Sequence, residues 1–402
     1  MILYLRKEEL AVFCMSSALI FITIPWFHPA YKAGGPVQSI ANLVEQYRNK
    51  QVHFKIFCSG NDLDGTVNQG VPFDKWCYYN ECTQVWYASG KKRSIAAMKR
   101  EIKNSNADIL FIMGIYSWYF NLVPLLFCKA PVKIISVRGM LHPGALSLKS
   151  VKKNIYLALW KMAGLYRHNF FHATDVKEKG FIRQVFSDKA KIFIAGNFPR
   201  IFKLHPAQQK KPGALLMVSI ALISPMKNIA LVLEALQYCK MQIKYDIYGP
   251  VKDEQYWQQC LVKIKMLPAN ITVIYRGDVV PTKIEDVLKT YELFILPSKS
   301  ENFGHAIYEA LSAGKPVITS HHTPFSNLYD HNAGLNVDVK HIQELAKAID
   351  FFAGMTRVEF AKWNAGAHNY AFKSIDQDHL KKQYDNMFLQ AAHVLQNTKS
   401  IT

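Results

Sequence analysis

The chain has 402 residues, about the length of two or three domains. Half of the residues are apolar or aromatic and a fifth are charged, so a disordered, collagen-like or coiled-coil chain is disfavoured. Lysine and arginine outnumber aspartate and glutamate by 49 to 30, and residues 1–200 alone carry 27 basic and 12 acidic side chains. The first half is therefore expected to face something anionic: nucleic acid, a membrane surface or a phosphorylated substrate.

The seven cysteines are odd in number, scattered along the chain and without close paired spacings. This pattern supports neither a disulfide framework nor a zinc site. We therefore expect reduced cysteines in a cytosolic protein.

Two stretches without charge, Leu10 to Phe27 and Ile109 to Cys128, approach the roughly 20 residues that a membrane-spanning helix needs. Serine, glycine, asparagine or proline interrupts each of them, and the second is better explained by the strand ILFIM, a turn and an amphipathic helix. We expect no membrane span and favour a peripheral membrane contact. Because Met15 lies just before the first predicted strand, residues 1–14 are expected to be an extension with no role in the fold.

In the first half, short apolar runs alternate with helical segments. The predicted order is strand 18–24, a loop with Gly34 and Gly35, helix 36–49, strand 53–58, helix 92–104, strand 108–113, helix 118–128, strand 132–137, a basic helix 148–165, strand 170–174 and strand 191–196. Such alternation predicts a parallel sheet with helices on both faces.

Residues 198–213 have no periodicity and contain prolines, a glycine and charges, so they are predicted to be a linker. A second alternation of strands and helices then runs from residue 214 to residue 320. The sequence thus predicts an α/β protein with two doubly wound Rossmann-like domains, 15–197 and 214–375, which face each other across a cleft. A last helix, 376–397, is predicted to pack back on the first domain. Ligands of such sheets bind beyond the carboxyl ends of the strands.

The sharpest motif, SKSENFGHAIYEA, follows a predicted strand and enters a predicted helix. Backbone N–H groups near Phe303, Gly304 and His305 would be free to bind a phosphate at the start of this helix. Glu309, expected in the first turn, could accept two hydrogen bonds from a vicinal diol such as a ribose, and Glu301 could hold hydroxyls of an attached sugar. The alternative is that Glu309 complements the helix dipole and Glu301 is a solvated loop residue.

With this motif the sequence resembles the retaining GT-B glycosyltransferases of the glycosyl transferases group 1 family, which carry two glutamates separated by seven residues, here followed by ALSAGKPV. The segment HPAYKAGGP at 28–36 resembles their glycine loop, and SPMKN at 224–228 resembles their phosphate-lysine segment. RGM at 138–140, with the basic helix that follows, is similar to a subgroup that builds bacterial surface polysaccharides. The resemblance spans about residues 18–390 and implies the GT-B fold.

The resemblance also implies roles for particular residues. Lys227 would neutralise the donor diphosphate, Glu309 would bind the ribose, and Glu301 would bind the transferred sugar. The residues implied in donor binding are Gly34, Gly35, Lys227, Asn302, Phe303, Gly304, His305 and Glu309, and those implied in catalysis are Glu301, Arg138 and His142. The donor would be a nucleotide-diphosphate sugar, with no cofactor and no metal ion.

Two positions depart from the family pattern. Family members commonly have an arginine five residues before the phosphate lysine, where this chain has Leu222. Many have a histidine where this chain has Arg138, and His142, four residues later, is a candidate to supply the imidazole. Arg138 is expected to grip phosphate oxygens from the opposite domain, with a surface pair to an acidic neighbour as the alternative.

The predicted function is transfer of a sugar, with retention, to a lipid-linked or oligosaccharide acceptor in the synthesis of capsule, O-antigen or exopolysaccharide. The alternative, suggested by Leu222, is a catalytically impaired GT-B subunit that binds without turnover. A dinucleotide-dependent oxidoreductase is disfavoured because no G-x-G-x-x-G turn follows a strand, and no nucleic-acid-binding signature is visible.

The first domain is expected to bind the acceptor and to lie on the inner face of the plasma membrane. Its predicted basic helix offers lysines for contact with anionic lipid, namely Lys149, Lys152, Lys153 and Lys161. The alternative for these lysines is a solvated helix face.

Overall fold

The computed structural model describes residues 18–48, 52–90, 93–147, 150–206 and 210–399. Two sheets form, one in each half of the chain, and all neighbouring strands are parallel except one pair. The prediction of an α/β protein with two doubly wound domains is confirmed.

The first sheet has the strand order β3-β4-β2-β1-β5-β6-β7-β8, in which only β3 and β4 are antiparallel. Its strands are β1 (Ala18–Thr23), β2 (Val52–Ser59), β3 (Trp76–Asn80), β4 (Thr83–Ala88), β5 (Ile109–Met113), β6 (Val132–Ser136), β7 (Phe170–Ala173) and β8 (Lys191–Ile194). Strand β1 is central because its side chains are apolar on both faces: Ile20 and Ile22 enter one hydrophobic cluster and Phe21 enters the other.

The helices of this half connect the parallel strands. They are α1 (Gly35–Glu45), α2 (Ile95–Ser105), α3 (Val123–Phe127), α4 (Pro143–Ser147), α5 (Ser150–Met162) and α6 (Val176–Val185), and a turn of π-helix, Trp118–Leu122, precedes α3. The basic helix predicted over 148–165 corresponds to α5, and α4 is a separate short helix before it.

The second sheet is entirely parallel, with the order β11-β10-β9-β12-β13-β14. Its strands are β9 (Ala214–Ile220), β10 (Gln242–Tyr248), β11 (Ile271–Tyr275), β12 (Leu293–Leu296), β13 (Val317–Ser320) and β14 (Gly334–Val337). Its helices are α7 (Ile229–Leu236), α8 (Glu254–Lys265), α9 (Ile284–Lys289), α10 (His305–Ser312), α11 (Ile342–Gly354) and α12 (Arg357–Ser374).

The last helix, α13 (Gln377–Lys399), packs on the first domain. Tyr384 and Phe388 belong to a hydrophobic cluster of the first sheet. The Tyr47 hydroxyl at the end of α1 donates a hydrogen bond of 2.7 Å to Asp385. The helix therefore ties the end of the chain to the first half.

No helix within the described ranges is long and apolar enough to span a bilayer. The uncharged stretch from Ile109 to Cys128 forms β5, the π-helical turn and α3, as its punctuation predicts. Residues 1–14 and Lys149, about which the sequence analysis makes predictions, lie outside the described residues.

Candidate active site

A cavity of about 360 Å³ lies between the two domains, at the carboxyl ends of their central strands. One wall comes from the loop that joins β1 to α1, with Arg138 and Asn197. The other wall comes from the loops that follow β9, β10 and β12 and from the start of α10. The cavity thus has the position that two facing doubly wound sheets dictate for a ligand.

The start of α10 presents backbone donors to this cavity. Gly304, which directly precedes α10, has a φ of 78°, and a side chain there would come within 3.2 Å of the Phe325 ring. No side chain caps the helix, so the first amides of α10 have no partner within the helix. Together with the helix dipole, these amides favour an anion at this end.

Glu301 is held by the second domain. Its Oε1 accepts hydrogen bonds of 2.5 Å from Lys227 Nζ and 2.7 Å from Ser298 Oγ, and its side chain is only 9% exposed. The alternative of a solvated loop residue is therefore wrong. The Lys227 ammonium has three donors, of which Glu301 uses one, so the lysine can also face a ligand.

Glu309 lies in the second turn of α10, not in the first turn as expected. The carboxyl group is buried, and its Oε1 lies 3.0 Å from Arg200 Nη2. Burial raises the pKa of Glu309, and the arginine opposes this shift. Its charge is therefore balanced by Arg200 rather than by the helix dipole.

Arg200 is a site residue that the sequence analysis missed. It comes from the predicted linker, where no motif marks it. Its Nη1 donates a hydrogen bond of 2.9 Å to the Pro281 carbonyl, and its guanidinium lies 4.7 Å from the centre of the Phe202 ring. The linker thus holds the cation that faces Glu309.

The glycine loop of the first domain approaches the second domain closely. Gly34 has a φ of 73°, and a Cβ there would lie 3.3 Å from Leu222 Cδ1. At Gly35 the nearest atom to such a Cβ is in the His305 ring, at 3.8 Å. Ser39 Oγ, on α1, lies 2.9 Å from His305 Nε2. The two walls are therefore in direct contact here.

These elements agree with the comparison of the sequence with known families. Residues 201–356 match the family described as "Glycosyl transferases group 1". The second domain is a glycosyl transferases group 1 domain. No curated protein matches the sequence.

Solved structures with the same GT-B fold extend the likeness to nearly the whole chain. HepE from Anabaena, solved in complex with UDP and glucose, has a TM-score of 0.68 at 15% identity, over 93% of this chain and 100% of HepE. Sucrose-phosphate synthase from Thermosynechococcus elongatus has a TM-score of 0.66 at 14% identity, over 93% and 98%. WaaG, a glycosyltransferase involved in lipopolysaccharide biosynthesis, has a TM-score of 0.61 at 12% identity, over 92% and 99%.

The two domains together place ten of the eleven residues that the sequence singles out around one cavity. Those that line the cavity are Gly34, Gly35, Arg138, Lys227, Glu301, Asn302, Phe303, Gly304, His305 and Glu309. Asn302 also contacts the first domain, since its Oδ1 lies 3.0 Å from Thr174 Oγ1.

His142 is the exception. It does not line the cavity: its Nδ1 accepts a hydrogen bond of 3.1 Å from the Gly144 amide, and its ring packs edge-on against Phe181. The imidazoles that line the cavity are those of His28 and His305. Burial, with Arg138, Arg200 and Lys227 nearby, lowers the pKa of His305 to about 3, so this ring is neutral.

Arg138 follows β6 and has a φ of 50°. Its Nη1 donates a hydrogen bond to Asn197 Oδ1, so its partner is an amide and not the acidic neighbour of the alternative interpretation. Its Nε and Nη2 are buried and have no partner among the residues that the structure describes. Because buried donors are normally satisfied, these two nitrogens favour an anionic ligand in the cavity.

The sequence analysis also passed over an Asp-x-Asp element, Asp62-Leu63-Asp64. Asp62 accepts hydrogen bonds from the backbone amides of Tyr31 and Lys32, and Asp64 lies 2.7 Å from Lys32 Nζ. Both carboxylates thus hold the loop that leads to Gly34. Within the described chain, no three His, Cys, Asp or Glu side chains are grouped closely enough to hold a metal ion.

Proposed function

We propose that the protein is a retaining glycosyltransferase that moves a sugar from a nucleotide-diphosphate sugar to a hydroxyl of a lipid-linked or oligosaccharide acceptor. One observation carries the proposal: a cavity of a glycosyl transferases group 1 domain holds two carboxylates beside cations and free helix amides. The HepE structure, which contains UDP and glucose, supports a nucleotide sugar as the donor.

We propose a place in the cavity for each part of the donor. The apolar end of the cavity suits a nucleotide base and is formed by Ile220, Ala221, Pro250, Ile284 and Leu296. Glu309 would accept hydrogen bonds from the ribose diol, and the diphosphate would lie between Lys227, Arg138 and the amides of α10. Glu301 would then hold hydroxyls of the transferred sugar.

In the proposed reaction, the bond between the sugar C1 and the diphosphate oxygen breaks, and the acceptor oxygen forms a bond to C1 on the same face. The acceptor proton passes to the leaving phosphate. No described side chain is assigned as a nucleophile. Lys227, Arg138 and the α10 amides stabilise the negative charge that develops on the leaving diphosphate, so the proposal assigns no step to a metal ion.

We further propose that the product belongs to a bacterial surface polysaccharide, such as capsule, O-antigen or exopolysaccharide. WaaG, a structural neighbour, acts in lipopolysaccharide biosynthesis, which supports an acceptor of this class.

The test is calorimetric titration of the full chain, without added metal, with UDP, GDP, ADP and CDP. We expect one of the four to bind, and NMR of a transfer reaction with its sugar conjugate should show the anomeric configuration of the donor in the product. If none of the four binds at millimolar concentration, the donor assignment is wrong. A product of inverted configuration would contradict retention.

Leu222 favours a second candidate, a GT-B subunit that binds donor without turnover. It replaces the arginine common in the family, and its side chain packs at Gly34 instead of offering a cation. If the protein binds a nucleotide sugar but neither transfers nor hydrolyses it, and Leu222→Arg restores turnover, this candidate replaces the first.

A further inference from the structure

Helix α5 has two apolar faces. One face is buried in the first domain through Leu157 and Trp160. On the other face Val151, Ile155, Leu159 and Met162 are between 54% and 76% exposed. A surface helix of a globular domain normally exposes polar residues opposite its buried face, so this second apolar face requires an explanation.

The four exposed side chains form one continuous stripe, which we call the α5 stripe. Their positions follow the spacing i, i+4, i+8 and i+11, which places them above one another on a helix with 3.6 residues per turn. On the same spacing, Lys152 lies at one edge of the stripe and Lys161 at the other, and both are exposed. An apolar stripe between lysines is the pattern of a helix that lies in a membrane interface.

The side chain of Lys153 does not belong to this surface, in contrast to the sequence-based prediction. Its Nζ donates a hydrogen bond to the Ala145 carbonyl and lies 5.5 Å from the centre of the Tyr116 ring. The lysine thus helps to hold α4 and the loop before the π-helical turn against α5.

Other exposed apolar side chains lie on the π-helical turn and on α3. Trp118 is 58% exposed, and its ring lies 6.3 Å from that of Phe127, which is 43% exposed. Tyr116, two residues before Trp118, contacts Tyr156 of α5. By contrast, the only large apolar side chains exposed on α8 and at its C-cap are Val262 and Met266. Contiguous exposed apolar surface of this kind marks an interaction site, whereas isolated residues do not.

We propose that the α5 stripe inserts into the surface of an anionic bilayer, with Lys152 and Lys161 facing the lipid phosphates. Charge decides between a bilayer and a second copy of the chain as the occupant. Helix α5 carries lysines and no acidic residue, so two copies joined at this face would bring like charges together, whereas an anionic leaflet attracts it. The inference deepens the proposed function, because a lipid-linked acceptor lies at such a surface.

The test is cosedimentation of the full chain with vesicles of phosphatidylcholine alone or of equimolar phosphatidylcholine and phosphatidylglycerol. We expect binding to the anionic vesicles that Ile155→Ser/Leu159→Ser weakens about tenfold or more, since both side chains lose apolar burial. Lys152→Ser/Lys161→Ser should weaken it about fivefold for each lysine. Val262→Ser/Met266→Ser on α8, a matched pair of exposed apolar residues, should leave binding unchanged.

Because all of these residues are exposed, the variants should keep the melting temperature of the parent protein. If Ile155→Ser/Leu159→Ser binds the anionic vesicles as well as the α8 control does, insertion is excluded. If that variant instead converts a dimer to a monomer in light scattering without an effect on vesicles, the stripe is an interface between copies and the inference is overturned. Nucleotide titration without vesicles tests the proposed function separately, so either can fail alone.

Discussion

The two walls of the cleft balance their charges in different ways. On the second-domain wall each carboxylate already has a cation: Glu301 pairs with Lys227, and Glu309 pairs with Arg200. On the first-domain wall, Arg138 donates to Asn197 and has no carboxylate partner among the described residues. We therefore call the second-domain wall the organised wall, since its carboxylates are paired with cations, and the first-domain wall the incomplete wall, since the charge of Arg138 has no carboxylate partner among the described residues and favours an anionic ligand.

The low pKa of His305 reflects burial together with the positive charges in the cleft. Its ring lies where the walls meet, and the three nearby cations help burial to lower its pKa to about 3. A neutral imidazole adds no further positive charge to the diphosphate site. It can still donate or accept a hydrogen bond through Nδ1, which is buried and has no described partner.

Breaking the pair on the organised wall should have the largest effect. Glu309→Ala removes the carboxylate that would bind the ribose and leaves Arg200 without its counter-charge. We expect affinity for the responding nucleotide to fall about 100-fold, which corresponds to about 2.7 kcal/mol, as measured by calorimetric titration. The melting temperature should fall too, because removing one partner of a buried ion pair leaves an uncompensated charge.

A matched control separates the two effects of Glu309→Ala. Glu285 Oε1 also has a partner, His205 Nε2 at 2.8 Å, but Glu285 does not line the cavity. Glu285→Ala should leave nucleotide affinity within twofold of the parent, about 0.4 kcal/mol. An equal loss of affinity in both variants would mean that the domain, and not the ribose contact, is disturbed.

On the incomplete wall, Arg138→Met should weaken nucleotide binding and at the same time raise the free energy of unfolding. Affinity for the responding nucleoside diphosphate should fall about 30-fold, while affinity for the nucleoside alone should not change, because the guanidinium would contact phosphate only. The free energy of unfolding without ligand should rise by about 1 kcal/mol, since an unpaired buried cation is costly. Urea denaturation checks the second part; a clear loss of stability would show that Arg138 is already satisfied.

Acid should destabilise both domains through their buried histidines. Burial lowers the pKa of His172, in the first domain, to about 3, like that of His305. Between the unfolded value near 6.5 and about 3, only the unfolded chain binds the proton, so stability falls as pH falls through this window. From about pH 6.5 to pH 5 each ring should lower the free energy of unfolding by about 1.6 kcal/mol.

Urea denaturation across this pH window checks the prediction. His172→Gln and His305→Gln should each flatten the dependence of stability on pH, whereas His53→Gln, at an exposed position, should not. If the slope of the parent protein is unaffected by either buried substitution, the histidines do not remain neutral in the folded chain.

The sequence predicts the alternation of parallel strands and helices well, because strands that are buried on both faces are continuous apolar runs, as in β1 and β5. The two strands β3 and β4, an antiparallel hairpin at the sheet edge, were not predicted, because no helix separates them and they break the alternation of strands and helices. It also missed α12, although Thr356 and Glu359 form a capping box there that is readable as T-x-x-E.

In the site, local motifs were sufficient to predict the start of α10 and the glycine loop. Both segments act through their own backbone, so neighbouring residues in the sequence mark them. Pairs between distant residues could not be read in this way. Arg200 meets Glu309 across 109 positions of sequence, and no local pattern in the linker marks it. The same limit explains His142, whose spacing from Arg138 suggested the cleft but whose ring packs on α6.

The close contact between the walls can be tested with two adjacent glycines. Gly34 has a φ of 73°, and a Cβ there would also press on Leu222 at 3.3 Å, whereas Gly35 begins α1 with the nearest atom at 3.8 Å. Gly34→Ala should therefore lower the free energy of unfolding by about 1–2 kcal/mol, the cost of a left-handed conformation for a residue with a Cβ. Gly35→Ala should change it by less than about 0.5 kcal/mol, as expected of an unstrained position. Urea denaturation of both variants measures the difference, and Gly34→Ala combined with Leu222→Ala shows how much of it comes from the contact between the walls. If Gly34→Ala costs as much in the Leu222→Ala background as it does in the parent, the cost belongs to the backbone of the loop. The contact with Leu222 then contributes none of it.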